Sequence, residues 1–193
     1  MPSAGAACDA VIMPCSEYAA TQARRLRAVG AFYWLWMQDH PGQKAPPLLL
    51  TGKPEEISSA REYWASLNTL RFIKADRHPD IMDDGGAATK THEHGAGLRP
   101  LIDALPISSG RKRRIHVITN AAHMLRVLSS LSVLSDVVDL VPWRVSHRQH
   151  EKPEAHAMAV YEAVAVPTNI VRGDMRLLRY FFRALRTPDG AVF

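Results

Sequence analysis

Two short stretches carry residues whose type and spacing suit acid–base chemistry. His123 and Arg126 lie three apart in Asn120-Ala121-Ala122-His123-Met124-Leu125-Arg126, and Glu93 sits in Thr91-His92-Glu93-His94. Side chains three apart share a helix face, so His123 and Arg126 are expected side by side in the first turn of a helix that Asn120, a favoured capping residue, would open. Helix start and arginine both disfavour imidazolium. His123 is therefore expected to be neutral near pH 7, able to act as base or hydrogen-bond partner. The plainer use of such a histidine is capping and packing beside a solvated arginine. Glu93 at a helix start can serve as acid, base or acceptor, although complementing the helix dipole is the commoner use.

Other chemistry finds less support. His92 and His94 are two apart, and on a helix such side chains diverge, so no metal site is expected there. Cys15 has no neighbouring base and is expected to be an idle thiol. The Arg-Lys-Arg-Arg run at 111–114 can touch phosphates, but it lacks interleaved aromatics and precedes a buried strand, so a solvated loop is expected. Phe32, Tyr33, Trp34 and Trp36 suit core packing, with part of the cluster left facing outward.

The elements that must position these residues follow from the apolar pattern. Residues 9–13 form a short branched apolar run stopped by Pro14, a buried strand. Residues 19–39 repeat apolar side chains at helical spacing until His40-Pro41-Gly42. A second strand at 48–52 turns through 51–54 into a helix opened by Pro54, Glu55 and Glu56. A third strand is predicted at 70–75, followed by an exposed polar loop through Asp83, Asp84, Gly85 and Gly86. A helix over 91–105 is weakened by Gly95, Gly97 and Pro100. The clearest unit is a strand at 115–119, Asn120, and a helix over 121–131; another strand is predicted at 137–141 and helices at 153–166 and 174–185.

Strands alternating with helices predict one α/β domain over 1–193, a Rossmann-like three-layer sandwich with a mainly parallel sheet. Ligands of such sheets lie outside the carboxyl ends of the strands. That rule selects Cys15, Ser16, Thr51, Gly52, Lys53, Thr119, Asn120 and His123, with helix starts near 54, 91 and 121 favouring an anion. The 24 basic and 19 acidic residues give a net charge of +5, a modest bias toward anionic partners. No apolar run is long enough for a membrane span. The absence of a secretory leader pattern and the two cysteines, too few for a disulfide scaffold, make a cytoplasmic location the expectation.

The string from Ile115 to Arg126, an apolar strand followed by Thr119 and by His123-Met124-Leu125-Arg126, resembles the signature of the YdcF/SanA/ElyC-like family, bacterial domains of unknown function. Thr91-His92-Glu93-His94 is similar to its Thr-x-Glu-Asn helix start, with His94 in place of asparagine. Leu50-Thr51-Gly52 with Ser59 and Glu62 is similar to its second strand and turn, and Arg25 to the arginine opening its first helix. Asn120 stands where serine is common, and Met13-Pro14-Cys15-Ser16 replaces a turn that usually bears glycine. The resemblance covers about 9–143, leaving a helical part at 153–186. It implies a polar cleft built from Arg25, Thr51, Glu62, Thr91, Glu93, Thr119, His123 and Arg126; the strand-end rule adds Gly52 and Asn120, and the leading expectation makes Glu93 and His123 the acid–base pair of a transferase or hydrolase. The implied ligand is a small anionic or nucleotide-like molecule, with S-adenosylmethionine a candidate because some short cytoplasmic relatives are associated with it. A rival from another class is a noncatalytic module that binds protein or nucleic acid through the basic loop.

Overall fold

Five short apolar segments pair side by side and all run the same way. In the computed structural model, which describes residues 7–67, 75–106 and 111–145 with positions 160 and 163, they are β1 (Ala10–Pro14), β2 (Leu48–Thr51), β3 (Ile81–Asp83), β4 (Arg113–Asn120) and β5 (Val138–Val145). The order is β3-β2-β1-β4-β5, every pair parallel. Parallel neighbours need crossovers, and right-handed crossovers place the helices by direction of travel. The chain steps from β1 outward to β3 through α1 (Ala19–Asp39) and α2 (Pro54–Ser66), then returns to β4 and on to β5 through α3 (His94–Ala104) and α4 (Ala121–Leu131). The first two helices therefore cover one face and the last two the other. The result is a Rossmann-like α/β sandwich.

Two cores confirm the layering. Leu48 and Leu50 of β2 and Ile118 of β4 pack with Leu26, Val29, Phe32, Ile57 and Trp64 of α1 and α2. Leu49, Ile115 and Val117 point the other way, onto Leu98, Ile102, Met124, Val127 and Leu128 of α3 and α4. The alternation follows from the two-residue period of a strand, and it also decides to which side each polar residue at the strand ends is directed.

In α1 the apolar stripe buries Phe32, Tyr33 and Trp36, while Trp34 and, just before the helix, Tyr18 stay exposed. Phe32 meets Trp143 edge-on at 5.4 Å and leans on the His116 ring at 4.9 Å. The Tyr33 hydroxyl donates to the Pro46 carbonyl at 2.9 Å, as a buried phenol requires. In α3, Pro100 removes a backbone donor and two glycines lower the propensity, yet the helix forms because the glycines permit close packing. A Cβ on Gly95 would stand 2.5 Å from the Ser130 carbonyl of α4, and one on Gly97 2.9 Å from an oxygen of Asp84.

Three expectations change. The third strand is Ile81–Asp83, not 70–75; Ala75 opens a 3₁₀ turn, Ala75–Arg77, and 70–74 lie outside the described residues. Three half-buried residues are too few to display a period, which is why they resembled the start of the loop. Only the first half of the basic run is a solvated loop: Arg111 and Lys112 are exposed, but β4 already begins at Arg113, which is buried and donates to the Leu105 carbonyl at 3.0 Å. Arg111 meanwhile forms a two-pronged pair with Asp9, 2.7 Å on each prong. The strand predicted at 137–141 continues to Val145. The helices predicted at 153–166 and 174–185 fall outside the described residues except for positions 160 and 163, both helical. Among the described residues no helix is long and apolar enough to cross a membrane.

Substituting Gly95→Ala should force α3 off α4 and lower stability by about 1–3 kcal/mol. A urea unfolding midpoint equal to that of the parent chain would show that the helices can separate freely at this contact.

Candidate functional site

The strand order reverses between β1 and β4, and the Arg25 side chain lies across that point. Arg25 projects from the second turn of α1 and is almost fully buried. Its Nε donates to Asn120 Oδ1 at 2.6 Å, and Nη1 donates to the carbonyls of Pro14 at 2.7 Å and Cys15 at 3.2 Å. One guanidinium thus ties the end of β1 to the end of β4. Asn120 occupies the capping position of α4, but its side chain makes no capping bond to the helix. The competing partner is Arg25, reached because Asn120, like Ile118, points to the α1 side of the sheet.

On the opposite side of the strand ends stand Thr51, Thr119, His94, His123 and Arg126. Thr51 Oγ1 donates to Asp84 Oδ2 at 2.5 Å and lies 2.8 Å from His94 Nδ1. Arg126 Nη2 lies 2.9 Å from His123 Nδ1. Because arginine only donates, His123 accepts at Nδ1 and its proton sits on Nε2. Thr119 is fully buried, and among the described residues its hydroxyl has no hydrogen-bond partner. Buried polar atoms are rarely left so, and this hydroxyl is therefore available to pair with a bound molecule.

Electrostatics keep both imidazoles neutral. Burial, then the charges of Arg25 and Arg126, hold His123 well below the ordinary histidine range. His94 is pushed down to about 3 by burial first, then by His123, Arg25 and Arg126, against a weak opposing pull from Glu93. Cys15, next to this cluster, is raised to about 12 by burial and by Glu56, so its thiol is inert, as its lack of a base implied.

The other predicted residues sit as follows. Glu93 Oε2 accepts three hydrogen bonds, from Thr89 N–H at 2.8 Å, Thr89 Oγ1 at 2.9 Å and Lys90 N–H at 2.9 Å. The Thr89 and Lys90 bonds lower its pKa, the opposite of what a general acid near neutrality needs. Its carboxylate closes the 3₁₀ turn Thr91–Glu93 that leads into α3, and that turn packs on α4. Thr91 opens the turn, and its carbonyl accepts the His94 N–H. Gly52 has φ +151°, and a Cβ there would lie 2.7 Å from Glu56 and 3.0 Å from Cys15, so glycine serves the turn between β2 and α2. Glu62 is exposed in the third turn of α2, about 12 Å along the axis from the helix start at the strand ends. Arg25, Thr51, Asn120, His123 and Arg126 thus converge, with Thr119 beside them, whereas Glu62 stands apart.

Sequence reasoning missed Asp84 and His94. Asp84 was assigned to an exposed loop, and His94 was only a departure from a family pattern; the usable signal was that Thr51, at a strand end, requires partners for its hydroxyl. Among the described residues no three His, Cys, Asp or Glu side chains gather to hold a metal ion. Comparison with family models, curated proteins and solved structures finds no match.

Histidine burial fixes the acid response. His116, between Phe32 and the sheet, is held at about 4 by burial and by Arg114, and both its ring nitrogens lack partners among the described residues. Unfolded histidine titrates near 6.5. Below that pH the unfolded chain takes up protons that the folded chain refuses, so stability is complete above it and falls until about 4 for His116 and about 3 for His94. Each group should contribute a slope approaching about 1.4 kcal/mol per pH unit. In urea titrations at successively lower pH, His116→Phe should flatten the decline by one group's share; an unaltered slope would mean that His116 titrates as it does in water.

Proposed function

We propose that the strand ends around the reversal point bind a small anionic or nucleotide-like molecule. One observation carries this reading: two guanidinium groups, Arg25 and Arg126, share a site with two imidazoles kept neutral and with a buried, unsatisfied threonine hydroxyl. The fold supplies the rest, since this edge is where doubly wound sheets bind ligands, and α4 opens there with no side-chain capping bond. Arg126 would hold negative charge, and Thr119 would gain its missing partner. The resemblance to the YdcF/SanA/ElyC-like family supports the same ligand class. S-adenosylmethionine fits only in part: its carboxylate suits the arginines, whereas its sulfonium must lie away from them.

Transferase or hydrolase chemistry belongs to the proposal with the histidines as neutral hydrogen-bond partners; Glu93 is committed to its turn. Two unpaired thiols, Cys8 and Cys15, suit a reducing compartment, and a cytoplasmic location is part of the same reading. The rival reading through the basic run loses support because Arg111 is held by Asp9, Lys112 by the Ser135 carbonyl and Arg113 by the Leu105 carbonyl.

A thermal-shift screen with inorganic phosphate, nucleotides, sugar phosphates and S-adenosylmethionine should find an anion that raises the unfolding temperature. Arg126→Ala should weaken that ligand about tenfold or more, the value of a charged hydrogen bond. If none of these compounds stabilises the protein, or if the variant binds equally well, the cluster is structural.

A further inference from the structure

We propose that His94 recognises a proton on the bound anion, so that the site takes a hydrogen phosphate group and discriminates against sulfate. This rests on the anion-binding reading above and deepens it, by naming the ligand class and the residue that selects it.

The argument is one of counting hydrogens. The Thr51 hydroxyl has a single hydrogen, and at 2.5 Å from Asp84 Oδ2 that hydrogen belongs to the carboxylate bond. At His94, 2.8 Å away, Thr51 can then only accept, so His94 carries its hydrogen on Nδ1. A neutral ring with hydrogen on Nδ1 presents a lone pair at Nε2, on the side of the imidazole away from Thr51. Burial and the neighbouring charges of Arg25 and Arg126 keep the ring neutral, so the lone pair persists through the neutral pH range. Among the described residues Nε2 makes no hydrogen bond.

The relay is held from behind. Asp84 Oδ1 accepts the Gly86 N–H at 3.1 Å, and Oδ2 fits against α3 only because Gly97 has no side chain. His94 itself is about 95% buried at its place in the first turn of α3, its relative exposure being 5%. His123 is fixed in the opposite sense by Arg126, with its hydrogen on Nε2. Beside the charges of Arg25 and Arg126, His94 thus contributes a ring acceptor.

An anion with only lone pairs cannot satisfy that acceptor. Sulfate is such an anion near neutral pH. Inorganic phosphate of the same size and, slightly above neutrality, the same double charge still carries one hydrogen, and a phosphate monoester carries one below its second pKa of about 6. Meeting that lone pair with another lone pair forfeits a hydrogen bond and should cost about tenfold in affinity. Charge alone gives no such preference, which makes the pair of ions diagnostic.

The test is calorimetric titration of the full chain with inorganic phosphate and with sulfate at matched ionic strength and slightly alkaline pH. Phosphate should bind about tenfold tighter or more. In Thr51→Val, which frees the His94 ring to exchange its hydrogen, and in His94→Ala, the ratio should shrink to about twofold or less. Nitrogen NMR of the native chain should show the His94 hydrogen on Nδ1. Equal affinities in the native chain, a ratio that survives both substitutions, or a hydrogen on Nε2 would each overturn the inference while leaving an anion site in place. Failure of either ion to bind the native chain overturns it as well, and the ligand screen then decides whether the broader reading goes with it. The native ratio is decisive by itself should a variant not fold.

Discussion

A single buried guanidinium organises this molecule. Arg25 reaches from α1 to the carbonyls that end β1 and to the amide oxygen that ends β4, the two strands between which the sheet reverses direction. Burying such a charge is costly unless hydrogen bonds replace its water, and the strand ends supply them at 2.6 to 3.2 Å. Asn120 is consequently drawn away from capping α4. The same charge helps to hold His94 and His123 neutral on the other side of the strand ends. Structure and site chemistry thus share a cause.

Strand parity divides the labour. Asn120 falls on the α1 side, where it meets Arg25, and Thr51 and Thr119 fall on the side of α3 and α4, where the histidines are. A one-residue slip of β2 or β4 would exchange these roles and turn apolar neighbours out of both cores. The two histidines end in opposite tautomers because one meets an obligate donor, Arg126, and the other a hydroxyl whose hydrogen is already engaged by Asp84. Neither tautomer is a property of histidine itself; each is imposed by the partner.

The elements with long or sharply bounded patterns were legible in the sequence. The helix over 19–39 and the helix over 121–131 have the predicted bounds, and the strands beginning near residues 10 and 48 lie where apolar runs stop at Pro14 and Gly52. β3 was illegible because three half-buried residues show no alternation, and with it went the placement of Asp84. Asn120 was sensibly taken as a cap, since capping is local; a contact to Arg25, 95 positions away in sequence, carries no local trace. Glu93 showed its dipole-complementing use in the helix-start pattern, and its three bonds to Thr89 and Lys90 realise it. The convergence of Arg25, Thr51, His123 and Arg126 needed only the rule that strand ends meet, whereas the relay through His94 needed side-chain distances.

The carboxylate of that relay is carried by the weakest margin of the sheet. Among the described residues β3 is an edge strand of three residues, bonded to β2 alone, and Asp84 follows it directly. Short edges fray at lower free energy than central strands. Were this edge to open, Thr51 would lose its acceptor and its hydroxyl could turn toward His94, which would then carry its hydrogen on the other nitrogen. Opening of the margin and proton placement in the interior would then be one coupled equilibrium, and an anion bound as proposed would also stitch down the border of the sheet.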